Sequence, residues 1–372
     1  MVLLLSGCCL AVKAIPTGPP RKITDLGQLT SVELPVSKKA RVWFSRVVTN
    51  GLSVPPTNRY ELCHAEGLTM TPVCSHAVRP AFFTTNADAS GLVYVVPTSN
   101  GDEIWRFVSS SATVLSIPTP PNPPLHVFAA AGNDTAAYLL TTAGTDTYLI
   151  TVPWTGSPST ARVNVPAGTT ALYATGSTNH PLNLVAAQKL YRIIGTSAQP
   201  IMSGAIPLQT VTRVVAHGAF LLVSTPSSVY EVSDGGVQEL AFNAAKSPNV
   251  LDIAWGNEAW AIAEVQGQAH VWRRQANEFD TVGFPLAVAN PGHLQPWQHG
   301  VLYSGTFTDS TGSTHPRLTA LALDSANSTF TYHVRDLSPQ YSVRRVMSDA
   351  TEDSAFLDIS SGTTPLHELH YW

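Results

Sequence analysis

Short apolar runs alternate with turns of small and polar residues along almost the whole chain, and the pattern repeats. Its clearest copy runs from Leu251 to Gly283. Leu251 to Trp255 reads as a strand, Gly256-Asn257 as a turn, and Ala259 to Glu264, Ala269 to Arg274 and Phe279 to Val282 as three further strands. Apolar runs this short, bounded by turn residues, are strand signals, so the unit predicts a four-stranded antiparallel sheet.

The leading hairpin of that unit recurs, giving eight copies in all. The paired runs are Val32 to Val36 with Val42 to Val48, Pro80 to Phe83 with Leu92 to Val96, His126 to Ala130 with Ala137 to Leu140, and Ala171 to Ala174 with Leu182 to Ala186. Then come Val211 to Val215 with Phe220 to Ser224, Leu251 to Trp255 with Ala259 to Glu264, His293 to Trp297 with Val301 to Thr306, and Val343 to Met347 with Ala355 to Ile359. Their spacing of roughly 40 to 49 residues suits a four-stranded repeat. A third strand follows each hairpin, usually with an aromatic beside an aliphatic residue, as in Tyr60-Glu-Leu62, Ile104-Trp-Arg-Phe107 and Val229-Tyr-Glu-Val232. Aromatics so placed pack between stacked sheets. Gly132, Gly176, Gly218, Gly256 and Gly300 fall in matching hairpin turns, where positive φ is expected.

On these repeats the chain resembles the β-propeller superfamily. The resemblance implies an all-β fold, a single β-propeller over residues 23–372 with eight four-stranded blades, seven being the alternative count because the unit around Cys63 and Cys74 is the least regular. Pro35, Pro80 and Pro296 fall in first strands, the inner edges of blades, where a missing N–H is tolerated. The last unit ends at Trp372 without a fourth strand, and Ile23 to Gln28 would supply it, closing the ring in Velcro fashion.

Composition agrees with strands and turns. Charged residues are 12% of the 372, against about 25% in an average globular protein. The net charge is -4 with no run of like charges, which argues against nucleic acid as a partner. No apolar run approaches the roughly 18 residues of a membrane-spanning helix.

Leu5-Ser6-Gly7-Cys8 resembles the lipobox of bacterial lipoproteins. That resemblance implies a partial signal at 1–10, lipidation of Cys8, and a tether at 11–22 containing Pro16, Pro19 and Pro20. It places the protein in the bacterial cell envelope, outer-membrane-anchored or periplasmic to extracellular, touching membrane only through the lipid. The sequence departs from the pattern in having no Lys or Arg before the apolar stretch and a core, Val2 to Leu5, shorter than the usual 7 to 15 or so residues. Cys63 and Cys74 are a candidate disulfide in such a compartment. A tight hairpin centred on Glu66 would leave them about 16 Å apart along the strand, so bridging needs a loop centred near Leu68 to Thr69. Two separately buried thiols are the other reading.

The sequence carries no phosphate-binding loop, dinucleotide fingerprint, nucleophile elbow or HExxH motif, and it predicts no catalytic residue, metal or cofactor. His367 and His370, three apart on a strand, point to opposite faces. The inner strands do bring charge to a channel: Glu33, Arg79, Arg213, Asp252, Arg344 and Arg345 are the candidate channel-lining ligand contacts. The expected function is a monomeric protein-binding or scaffold module whose partner is an envelope protein or glycan. The alternatives are a carbohydrate-active or other propeller enzyme, which would need paired carboxylates such as Glu33 and Asp252 within about 10 Å, and a glycan binder using Trp154 and Trp297. In size, lipobox and blade count the chain also resembles the lipoprotein scaffold of the outer-membrane barrel-assembly machinery, whose recurrent repeat occurs here at most once, at Ala322-Leu-Asp324.

Overall fold

The computed structural model describes residues 18–50, 57–118, 124–243, 248–282, 286–297, 300–324, 329–348, 354–362 and 366–372; Cys8 and the lipobox lie outside them. Every helix or strand element among these residues is a strand. Consecutive strands pair antiparallel into four-stranded sheets, as in Ala81–Thr85, Leu92–Val96, Glu103–Val108 and Ser111–Val114, the second sheet in chain order. Among the described residues six such sheets are separate and two more, the fifth and sixth in chain order, are joined edge to edge into one of eight strands; Met202–Ser203 and Ile206–Pro207 form a small two-stranded ribbon besides. The eighth sheet joins Tyr341–Met347, Phe356–Ser361 and His367–Tyr371 to Arg21–Gly27 from the other end of the chain. The closing strand therefore starts two residues earlier than the sequence suggests, inside the expected tether.

Packing shows that the sheets form a ring. First strands of successive sheets are neighbours. Each interface between consecutive sheets has its own apolar cluster: Trp43 and Tyr94 lie between the first and second sheets, Leu140 and Leu184 between the third and fourth, and Leu302 and Leu357 between the seventh and eighth. The last interface, eighth sheet to first, is filled by Leu26, Phe44, Phe356 and Leu369. An open array would leave that interface uncovered, so the arrangement is a closed β-propeller. The aromatic stripe of the third strands does pack between sheets, with Phe107, Tyr191, Tyr230 and Trp272 each in or against one of these clusters.

Several expectations are corrected. Val32 to Pro35 is a loop, and the first strand of the first sheet is only Val36–Lys38. Of the turn glycines, Gly218 has positive φ (+53°), whereas Gly300 is required for a different reason: a Cβ there would collide with the Leu321 carbonyl on the paired strand. Of the two readings of Cys63 and Cys74, the structure has separate thiols and no disulfide. The hairpin turns at Gly67-Leu68, and a bulge between Leu62 and Cys63 sets Cys74 opposite Leu62 and Cys63 opposite Pro72. The two thiols are free and leave opposite faces of the sheet, Cys63 into the cluster with Phe44 and Cys74 toward the one with Tyr94. One pairing was not foreseen: the outer strands of the fifth and sixth sheets join in parallel through Ala241 with Glu278 and Phe242 with Phe279.

Candidate functional site in the central channel

Backbone irregularity is concentrated on the inner strands. The first strands of six sheets carry a register shift, at Ala81/Thr84, Val127/Ala129, Thr169/Ala171, Val250/Asp252, Gly292/Gln295 and Val343/Arg345. A bulge breaks strict alternation and re-aims side chains. Among the described residues, only three non-glycine residues lie at positive φ within a strand: Phe82 (+53°), Asn290 (+48°) and His293 (+53°). All three are on inner strands and all three line a channel cavity. Such conformations cost about 1–3 kcal/mol each and persist where the surrounding structure requires them.

One wall of the channel, formed by the fifth to eighth sheets, is polar. It encloses about 510 Å³ lined by Arg213, Asp252, Asn290 and His293, with the hydroxyls of Ser304 and Tyr341. Arg213 Nη1 lies 2.6 Å from Asp252 Oδ1. Asp252 also accepts the backbone N–H of Ile253 at 2.8 Å and of Leu294 at 2.7 Å, so its carboxylate ties the sixth sheet to the bulge of the seventh. Burial pushes the Asp252 carboxyl above its ordinary pKa, against the pull of Arg213 and the two amides. Burial holds the His293 imidazole below its ordinary value; Arg213 and Arg345 act in the same direction, Asp252 and Asp358 in the opposite one.

The opposite wall, formed by the first four sheets, is lined mainly by apolar side chains. It encloses about 360 Å³, and Leu34, Phe82, Phe83, Phe128 and Leu172 line it together with Arg345 from the eighth sheet. Arg345 donates Nη1–H to Pro35 O at 2.8 Å. Its cross-strand neighbour Asp358 is fully buried and engaged with His367 Nδ1 at 2.7 Å.

Of the six sequence candidates, the structure brings Arg213, Asp252 and Arg345 to the cavity walls. Glu33 instead closes its own loop, accepting the Thr30 N–H at 2.9 Å. Arg79 is buried away from both cavities; it donates to Leu26 O at 2.8 Å and lies 5.1 Å from the Tyr60 ring centroid, clamping the closing strand. Arg344 occupies a bulge and donates to Ser360 Oγ at 3.0 Å. Glu33 and Asp252 thus engage separate partners. Trp297 is buried between the seventh and eighth sheets, and half-buried Trp154 donates its indole N–H to Asn133 O at 2.8 Å, so neither is a free glycan platform. His367 and His370 hold different carboxylates, Asp358 and Glu368. Sequence reading missed His293 and the three phenylalanines. The available signal was the double aromatic Phe82-Phe83 in an inner strand, which defies alternation.

No family model matches the sequence, and no curated protein matches it. Among solved structures the chain is similar to a streptogramin B lyase, at 12% identity and a TM-score of 0.43, covering 78% of this chain and 92% of that one. It is similar to the β-propeller domain of the Trilobed protease from Pyrococcus furiosus, at 9% identity and 0.45, covering 85% and 96%. It is also similar to prolyl endopeptidases, at 12% identity and 0.48, covering 92% of this chain and 55% of that one. The class, an all-β propeller, rests on the ring of sheets itself, and these likenesses add nothing to it.

Proposed function

We propose that this propeller is a non-enzymatic binding module, exported and lipid-anchored in the bacterial cell envelope, that engages its partner at the channel. The observation that carries the binding role is the coincidence of in-strand positive φ, inner-strand bulges and two cavities on the same channel walls. Strain kept at one place in an otherwise regular sheet array is a mark of function. The carboxylates favour binding over hydrolysis: Asp252, on the cavity wall, is engaged by Arg213, while Asp358 and Glu33, off both walls, are engaged by His367 and the Thr30 N–H. Glycoside cleavage needs two carboxyl groups facing one space at about 5–9.5 Å. Export and anchoring rest on the lipobox resemblance at Leu5 to Cys8.

The test is affinity purification of the tagged, full-length protein from source-cell envelopes, with mass spectrometry of the N-terminus and of co-purified molecules. A lipidated Cys8 and a partner that is lost on His293→Ala or Phe82→Ala are expected. An unmodified N-terminus would overturn the anchor, and a partner indifferent to both substitutions would overturn the channel as its site.

A further inference from the structure

We propose that the apolar half of the channel binds a hydrophobic monocarboxylate, with its apolar body against Phe82, Phe83 and Phe128 and its carboxylate on Arg345. The inference rests on the reading of the channel as a binding site and names the chemistry of what enters it.

Three observations converge. The first is the aromatic wall. Phe82 and Phe83 both line this cavity, Phe82 from the side where the second sheet meets the third and Phe83 from the side where it meets the first. The bulge between Ala81 and Thr84 and the positive φ of Phe82 fall at this pair, and Phe128, at the bulge of the next inner strand, adds a third ring. None of the three is fully buried, so the rings present surface to the channel.

The second is the cation. Among the described residues, Arg345 has no carboxylate within 4 Å, and its one hydrogen bond is to Pro35 O. Asp358, directly opposite on the paired strand, is taken by His367. Burial disfavours the Arg345 guanidinium; the charge of Asp358 supports it and that of Arg213 opposes it. Arg345 is half-buried, with one hydrogen-bond partner and donors left over, and its planar fork matches a carboxylate.

The third is the match of size and charge. The volume of about 360 Å³ falls within the range of roughly 300–1,000 Å³ typical of small-molecule sites. Arg345 is the only charged side chain on this cavity wall among the described residues, which suits a single negative charge better than a phosphate.

Isothermal titration of the full-length chain with sodium octanoate and with 1-octanol tests this. Octanoate is expected to bind saturably at one site, at least tenfold tighter than octanol. Arg345→Met should abolish that preference, Phe128→Ala should weaken both ligands, and Arg162→Met, at an exposed ion pair with Asp146 outside both cavities, should preserve the preference. Equal binding of octanoate and octanol to the unmodified protein, or a preference retained in Arg345→Met, overturns the proposal. Should Arg345→Met fail to fold, the octanoate/octanol ratio of the unmodified protein and of Phe128→Ala decides. A free acid and a peptide C-terminus share this chemistry, and N-acetyl-Phe-Phe as acid and as amide separates them: a tenfold preference for the acid peptide over both its amide and octanoate assigns a peptide terminus. If no carboxylate binds while an envelope partner is still lost on His293→Ala, the ligand class is wrong and the channel reading stands.

Discussion

Ring closure depends on a strand that the chain could otherwise leave unpaired, and Leu26 tests how much it contributes. Leu26 is fully buried between the eighth and first sheets, against Val42, Phe44, Met347, Phe356 and Leu369. Truncating a buried Leu to Ala costs about 2–5 kcal/mol, more when the cavity cannot collapse. Collapse is restricted here, because the Leu26 carbonyl is held by Arg79 and the strand is paired from Arg21 to Gly27. Leu26→Ala is therefore expected to cost about 3–4 kcal/mol, a large share of the roughly 5–15 kcal/mol that folded domains have. Urea unfolding followed by tryptophan fluorescence reads it. Leu139→Ala, equally buried at the interface of the second and third sheets, should cost a similar amount. Lys22→Ala, which removes exposed contacts to Asp25 at 2.6 Å and Glu368 at 2.9 Å, should cost less than about 1 kcal/mol. A Leu26→Ala protein within about 0.5 kcal/mol of the parent would refute the closed ring, since a surface substitution has that effect.

Three further outcomes are expected. Arg79→Met removes the hydrogen bond to Leu26 O and the contact with Tyr60, and should destabilise by about 1–3 kcal/mol in the same urea assay while leaving octanoate binding unchanged. Burial holds His64, His76 and His293 below the ordinary imidazole value of 6.5, so the unfolded chain takes up protons first as pH falls. Their stabilising effect is complete above pH 6.5 and declines below it, and replacing all three with Gln should flatten the stability profile between pH 6.5 and 5. Finally, because Cys63 and Cys74 are free, a reductant should not lower the melting temperature, and iodoacetamide should label partly accessible Cys74 before Cys63, whose thiol burial pushes up to about 12; peptide mass spectrometry measures the order.

The repeat was legible because each sheet is a local meander whose turns and apolar runs are printed in order. The closing strand could be found by counting, since the last unit lacks a fourth strand. Bulges were not legible: a two-against-one pairing leaves no mark in composition, yet Phe82 and His293 both sit at such irregularities with positive φ. The same blindness left a disulfide and two separate thiols equally open for Cys63 and Cys74. Cys63 and Cys74 do sit on paired strands, but the bulge at Leu62/Cys63 sets them in adjacent rows, where alternation sends the thiols to opposite faces. Arg79 and Glu33 were misplaced because their positions in loops before inner strands look the same in sequence as channel positions.

The pairing of Arg21–Gly27 with His367–Tyr371 has a consequence for how the protein is made. Lys22 and Glu368, joined in that pairing, are 346 positions apart. At about 5–20 residues per second, the ribosome needs roughly 20–70 s after producing the first strand before its partner exists. Throughout that interval the growing arc presents an unpaired sheet edge at its leading end and an orphan strand at its start, the two features that recruit neighbouring chains into aggregates. The hazard of this fold thus belongs to its synthesis, and a circular permutant carrying residues 18–28 after Trp372 would shorten the wait to about a second or two.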